Sequence, residues 1–142
     1  MTATAITNIS LSNTTEASVS KARLWSGRAL SALIILFMAM DGGVKLFKPP
    51  FVVQATVELG YPEGAIVGIG IALLISTILY AIPRTAIFGA MLLTAYLGGA
   101  VATHVRVGGP MFNVVFPAVF GVILWAGLVM RNPRLQNVLF HS

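Results

Sequence analysis

Four long apolar stretches constrain the fold of this chain more than any other feature of its sequence. They cover about residues 24–47, 64–82, 85–103 and 111–130. A helix needs about 20 predominantly apolar residues to cross the hydrocarbon core of a bilayer. Backbone polar groups find no water in that layer, so an isolated apolar stretch must satisfy them as a helix. The pattern predicts an all-α, polytopic membrane protein whose four transmembrane helices form a bundle.

The composition is also that of a membrane protein. Hydrophobic residues make up 57% of the 142 residues, whereas charged residues make up only 9%. Soluble domains contain about 25% charged residues. The net charge of +5 comes from basic residues scattered singly at the ends of the apolar stretches, which argues against nucleic acid as a partner. The absence of cysteine excludes disulfides and thiolate chemistry.

The distribution of charge predicts the orientation of the chain in the membrane. One side of the predicted helices carries Lys21, Arg23, Arg28, Arg84, Arg131 and Arg134, and the other carries Lys45, Lys48, Arg106, Asp41, Glu58 and Glu63. The positive-inside rule places the purely basic side in the cytoplasm. We therefore expect a multi-pass protein of the inner (plasma) membrane with both termini in the cytoplasm.

Three segments are expected along the chain. Residues 1–20 are rich in Thr, Ser, Ala and Asn and lack an apolar period, which predicts a disordered cytoplasmic tail. Residues 21–135 form the membrane domain, and residues 136–142 form a cytoplasmic C-terminal end. Inside the domain, residues 51–59 are ambiguous, because residues 53–59 alternate like a strand. Pro50 before them and Gly60 after them favour a short helix at the outer interface.

Two rows of small residues at four-residue intervals predict the closest contact between helices. The second span carries Gly64, Gly68, Ala72 and Ser76, and the third carries Ala86, Ala90, Thr94, Gly98 and Ala102. Small residues allow helix backbones to approach each other closely in lipid. The connection between these spans is short, so we expect the two rows to lie face to face.

One polar cluster is expected at the outer side, formed by Asp41, Lys45, Glu58, His104 and Arg106. Ionisable groups near membrane depth suggest a function, and these five residues are the predicted ligand-binding site. Asp41 and Lys45 are four residues apart and can pair on one helix face. Arg106 offers paired donors, which we expect to point towards Asp41 or Glu58. The alternative is that these residues only mark helix ends, where Lys and Arg reach the headgroups.

The remaining polar residues predict no catalytic machinery. His104 can carry a proton near neutral pH, but with Asp41 and Glu58 it does not supply a convincing set of metal ligands. No triad spacing and no phosphate-binding loop occur, so we expect no metal, no cofactor and no stand-alone enzyme activity. Tyr96 falls near mid-membrane, and its hydroxyl is expected to bond to Thr94 or to a neighbouring carbonyl.

Several motifs carry a resemblance to a known family, namely LGYPEG, AIPRTAIFGAMLLTAYLGGAVATHVRVGGP and LVMRNPRL. They resemble the DoxX-like family of small bacterial four-helix integral membrane proteins, over about residues 24–135. The resemblance implies no agreed reaction and no catalytic residues. More distant relatives include a membrane subunit associated with thiosulfate oxidation and quinone reduction, and others linked to redox-protein assembly. The resemblance thus implies an accessory role.

The leading hypothesis is an accessory or assembly subunit that binds a partner membrane protein or a quinone-like lipid at the outer polar cluster. One alternative is a small-solute or proton transporter, for which the midplane offers only Ser76, Thr94 and Tyr96. Another is a structural membrane protein that associates with itself as a homo-oligomer.

Overall fold

The computed structural model describes the backbone of residues 2–140 and the side chains of residues 4, 8 and 21–140. The described chain forms six helices: α1 (Thr2–Phe47), α2 (Pro50–Glu58), α3 (Ala65–Ala81), α4 (Ala86–Arg106), α5 (Met111–Arg131) and α6 (Pro133–Phe140). The described residues include no strand, which confirms the predicted all-α class.

Three of these helices are long and apolar enough to cross a membrane. They are the Lys21–Phe47 part of α1, together with α4 and α5. The fourth apolar helix, α3, is shorter and has 17 residues. At a rise of about 1.5 Å per residue, it is about 25 Å long.

Helices α1, α3, α4 and α5 pack so that α1 and α4 each contact both α3 and α5. Large buried side chains from all four helices fill the space between them, among them Ile34, Met38, Leu73, Leu93 and Leu124. The outside of the helices is also apolar. Leu36 on α1 is 70% exposed and Val122 on α5 is 71% exposed. An apolar exterior around an apolar core matches a protein surrounded by lipid.

The two small-residue rows do not form the contact that the sequence predicts. Ala86 and Ala90 are buried, but Gly68, Gly98 and Ala102 are exposed. Apart from the backbone of its own helix, a Cβ atom added at Gly68 or Gly98 would meet no atom within 4 Å. The reason is geometric, because four residues advance a helix by about 40° more than one turn. A row of this spacing winds around the helix, so only part of each row faces the core: the first two members of the α4 row and the last member of the α3 row.

The close backbone approaches lie at other glycines. A Cβ atom at Gly89 of α4 would overlap the backbone of Tyr80 in α3. A Cβ atom at Gly70 of α3 would lie 2.9 Å from the carbonyl oxygen of Gly42 in α1. One at Gly127 of α5 would lie 2.9 Å from the Ser31 hydroxyl of α1. Close packing therefore joins α1 to both of its neighbours, and joins α3 to α4 near their connection.

Helices also extend into two segments outside the core, near the two ends of the chain. Helix α1 begins at Thr2, although a disordered tail is expected there; no Gly or Pro precedes Gly27 to interrupt the helix. Most side chains of residues 1–20 lie outside the described residues. Helix α6 covers part of the expected C-terminal end, whose last two residues, His141 and Ser142, also lie outside the description. The division at residues 20 and 135 stays a prediction.

Helix α2 has the form that its flanking residues predict. Pro50 is its first residue, and Gly60 follows its end with a φ of 90°. This conformation suits glycine because it has no Cβ atom. None of the residues of α2 is buried. The short helix is thus confirmed, and its position at the outer interface stays a prediction.

Candidate functional site

A cavity of about 520 Å³ is lined by residues of α2, of the end of α1, of the start of α3 and of the second half of α4. Its polar lining residues are Asp41, Lys45, Thr56, Tyr61, Tyr96, Thr103 and His104. Its apolar lining includes Phe51 and Val52 from α2, Leu59 directly after α2, and Ile69 from α3. The cavity therefore combines a polar wall with apolar walls, which is the usual composition of a small-molecule site.

A charged pair on α1 forms one part of the polar wall. Lys45 Nζ donates a hydrogen bond to Asp41 Oδ1 at 2.5 Å. The Lys45 side chain is only 16% exposed. This contact confirms the pairing that the four-residue spacing predicts. Since the two charges compensate each other, the pair brings no net charge to the cavity.

Tyr96 connects this pair to α4. Its hydroxyl donates a hydrogen bond to Asp41 Oδ2 at 3.1 Å, and Lys45 Nζ lies 6.0 Å from the centre of its ring. The sequence predicts that the Tyr96 hydroxyl bonds to Thr94 or to a nearby carbonyl, and this prediction is wrong. Thr94 lies two residues away, on another face of the helix, where it accepts a hydrogen bond from Trp125 Nε1 at 2.8 Å.

Tyr61 and Thr103 form a second link, between the α2–α3 connection and α4. The Thr103 hydroxyl donates to the Gly99 carbonyl at 2.7 Å. It therefore accepts from the Tyr61 hydroxyl, whose oxygen lies 2.9 Å away. Neither residue was predicted as a site residue. Tyr61 follows directly after Gly60, and this turn brings its ring back to the cavity.

The structure separates the five predicted site residues into two groups. Asp41, Lys45 and His104 line the cavity. Glu58 does not line it, and it accepts a hydrogen bond from Gln54 Nε2 at 3.1 Å on α2. Arg106 also lies outside the lining. Binding at any of these residues stays a prediction.

The predicted pairing of Arg106 with an acidic residue is wrong. Its Nη2 donates to the Leu59 carbonyl at 2.6 Å. The ion pairs among the described residues are Lys45 with Asp41, and Lys48 with Glu63 at 3.3 Å. The last carbonyl groups of a helix lack intrahelical donors, and a cation at that end stabilises them. Arg106 therefore fixes the end of α2, which covers the cavity.

The cavity can accept a molecule that has both a polar and an apolar part. Lys45 has three N–H donors and uses one of them on Asp41, while the imidazole of His104 can donate or accept. The remaining walls are side chains such as Phe51 and Ile69. Among the described residues, no group of three or more His, Asp or Glu side chains could hold a metal ion.

The apolar exterior and the three long apolar helices define a helical integral membrane protein. The family model of the DoxX-like family matches residues 29–127, which is more than half of the chain. The protein therefore belongs to the DoxX-like family, as its motifs predict. Neither a curated protein nor a solved structure matches the chain.

Proposed function

We propose that the protein is an accessory subunit that binds the headgroup of a quinone-like lipid in the cavity beneath α2. One observation carries this proposal: the linked side chains of Asp41, Lys45 and Tyr96 lie in the wall of a cavity with otherwise largely apolar sides.

The charge of the polar wall favours an uncharged headgroup. Asp41 and Lys45 neutralise each other, so an ionic ligand would leave its own charge without a partner. A quinone ring is flat and apolar, and its carbonyl oxygens accept hydrogen bonds. Lys45 retains N–H donors that are not used by Asp41, and these can reach such an acceptor. Phe51 of α2 and Leu59, which follows α2, offer apolar surface to the ring.

The membrane arrangement that goes with this proposal has four spans. Helix α3, at about 25 Å, can cross a bilayer together with α1, α4 and α5, since spans as short as about 17 residues occur. Helix α2 then lies at the outer interface of a bacterial inner membrane, and both termini lie in the cytoplasm. The basic side chains at the opposite end support this orientation.

The experiment titrates the purified protein with a short-chain benzoquinone in mild detergent. The measured quantity is the change in the thermal stability of the protein. We expect saturable stabilisation of the wild type. Replacing the pair together, by Asp41→Asn with Lys45→Gln, keeps the wall neutral and should weaken binding about ten-fold, because charge-assisted donors are lost. Gln54→Ala, on the exposed side of α2 and outside the cavity, is the matched control.

The same preparation separates this proposal from its alternatives. A membrane protein that co-purifies in a fixed ratio would indicate an assembly partner instead. Solute or proton flux in proteoliposomes would indicate transport. Equal quinone binding by the wild type and the double variant would exclude the Asp41–Lys45 wall as the binding site.

A further inference from the structure

A second cavity, of about 970 Å³, lies at the opposite end of the helices. Four arginines line it: Arg28 from α1, Arg84 from the α3–α4 connection, Arg131 from the end of α5 and Arg134 from α6. No Asp or Glu occurs among the described residues that line this cavity. Among the described residues, the positive charge of this cavity is therefore uncompensated, unlike that of the first cavity, where Asp41 neutralises Lys45.

Arg131 holds one of these charges in a fixed position. Its Nη2 donates to the Tyr80 carbonyl at 2.6 Å, and its guanidinium lies 4.8 Å from the centre of the Tyr80 ring. Its Nε is buried and has no hydrogen-bond partner among the described residues. A partly buried guanidinium without a carboxylate nearby is unfavourable on its own, and an anion beside it would stabilise it.

The rest of the cavity is apolar, which restricts the kind of anion. Leu24, Ile87 and Leu135 line it beside the arginines. Helix α6 continues the apolar surface, since Val138 is 66% exposed and Phe140 is 71% exposed. A small soluble anion would leave these walls in contact with water. A molecule with a phosphate group and hydrocarbon chains would cover both kinds of surface.

We propose that this cavity binds the phosphate headgroup of an anionic phospholipid from the surrounding bilayer. Guanidinium groups bind phosphate oxygens through paired N–H donors, and several of them converge here from different helices. The acyl chains lie along the apolar walls, towards the hydrocarbon. This site is independent of the quinone-like ligand in the first cavity.

The test measures binding of a fluorescent phosphatidylglycerol to the purified protein in a neutral detergent. Phosphatidylcholine with the same chains is the comparison lipid, and we expect it to bind at least about ten-fold more weakly. Arg84→Gln and Arg134→Gln should each reduce phosphatidylglycerol affinity about five-fold, as expected for one basic contact. Both side chains are exposed, so these variants should fold, and thermal unfolding checks this.

Arg23→Gln provides the matched control. Arg23 is an exposed arginine on α1 near the same end of the helices, and it does not line the cavity. Its replacement should change the affinity less than about two-fold, since exposed charges outside a site contribute little. The proposal is overturned if Arg23→Gln weakens binding as much as the cavity variants do, or if phosphatidylcholine binds equally well. Displacement by millimolar inorganic phosphate would assign the site to a soluble anion instead of a lipid.

Discussion

Tyr96 joins two helices through a single hydrogen bond to a charged side chain. Its hydroxyl contacts Asp41, which lies 55 residues earlier in the chain. The pairing of Asp41 with Lys45 could be predicted, because it depends only on spacing within one helix. The bond from Tyr96 depends on how α4 is rotated against α1, and no local pattern gives that rotation. For the same reason, the link between Tyr61 and Thr103 could not be predicted.

The contact between Tyr96 and Asp41 leads to a prediction about coupling. Tyr96→Phe should destabilise the protein by about 1.5–3 kcal/mol, because hydrogen bonds to charged groups contribute about that much. Asp41→Asn should also destabilise it, and the double variant should be less destabilised than the sum of the two single changes. Thermal unfolding in detergent measures all three variants. Strict additivity would show that the two side chains do not interact.

At the scale of elements, the helices were easier to predict than their contacts. The spans expected at about residues 85–103 and 111–130 correspond to Ala86–Arg106 and Met111–Arg131. Hydropathy and the flanking Pro and Gly residues determine such limits locally. The prediction that the two small-residue rows contact each other is wrong, because a four-residue repeat does not remain on one helix face. Which glycines lie at close approaches depends on the tilt and rotation of neighbouring helices.

Two glycines of α4 provide a matched test of this packing. Gly89→Ala should destabilise the protein by at least about 2 kcal/mol, since the new methyl group would overlap the Tyr80 backbone and force the helices apart. Gly98→Ala should be neutral, or stabilise by up to about 1 kcal/mol, because Ala favours helix and the site is open. Unfolding midpoints in detergent compare the two variants. Similar losses at both positions would contradict the observed rotation of α4.

At the scale of the whole molecule, the two cavities differ in charge and lie at opposite ends. The first contains an acid and a base in contact, and the second contains four arginines. The imbalance of basic residues between the two ends is visible in the sequence and predicts the orientation. The cavities could not be predicted, because each is formed by side chains from at least three separate segments of the chain.

The orientation of the molecule can be measured directly. We expect a reporter fused after residue 142 to be active in the cytoplasm, and one inserted near Gly64 to be active on the outer side. The reason is that Arg84, Arg131 and Arg134 lie at one end, which the positive-inside rule assigns to the cytoplasm. A reporter that functions only outside when it is placed after residue 142 would reverse the topology. It would also place the arginine cavity in the outer leaflet.

The central claim is that a quinone-like headgroup enters the cavity beneath α2. The most direct measurement uses a photoactivatable quinone in native membranes, followed by identification of the labelled residues by mass spectrometry. We predict labels on lining residues such as Phe51, Tyr61 and Tyr96, which an excess of unlabelled quinone removes. Labels confined to lipid-facing side chains such as Leu36 and Val122, with no effect of the competitor, would contradict the account.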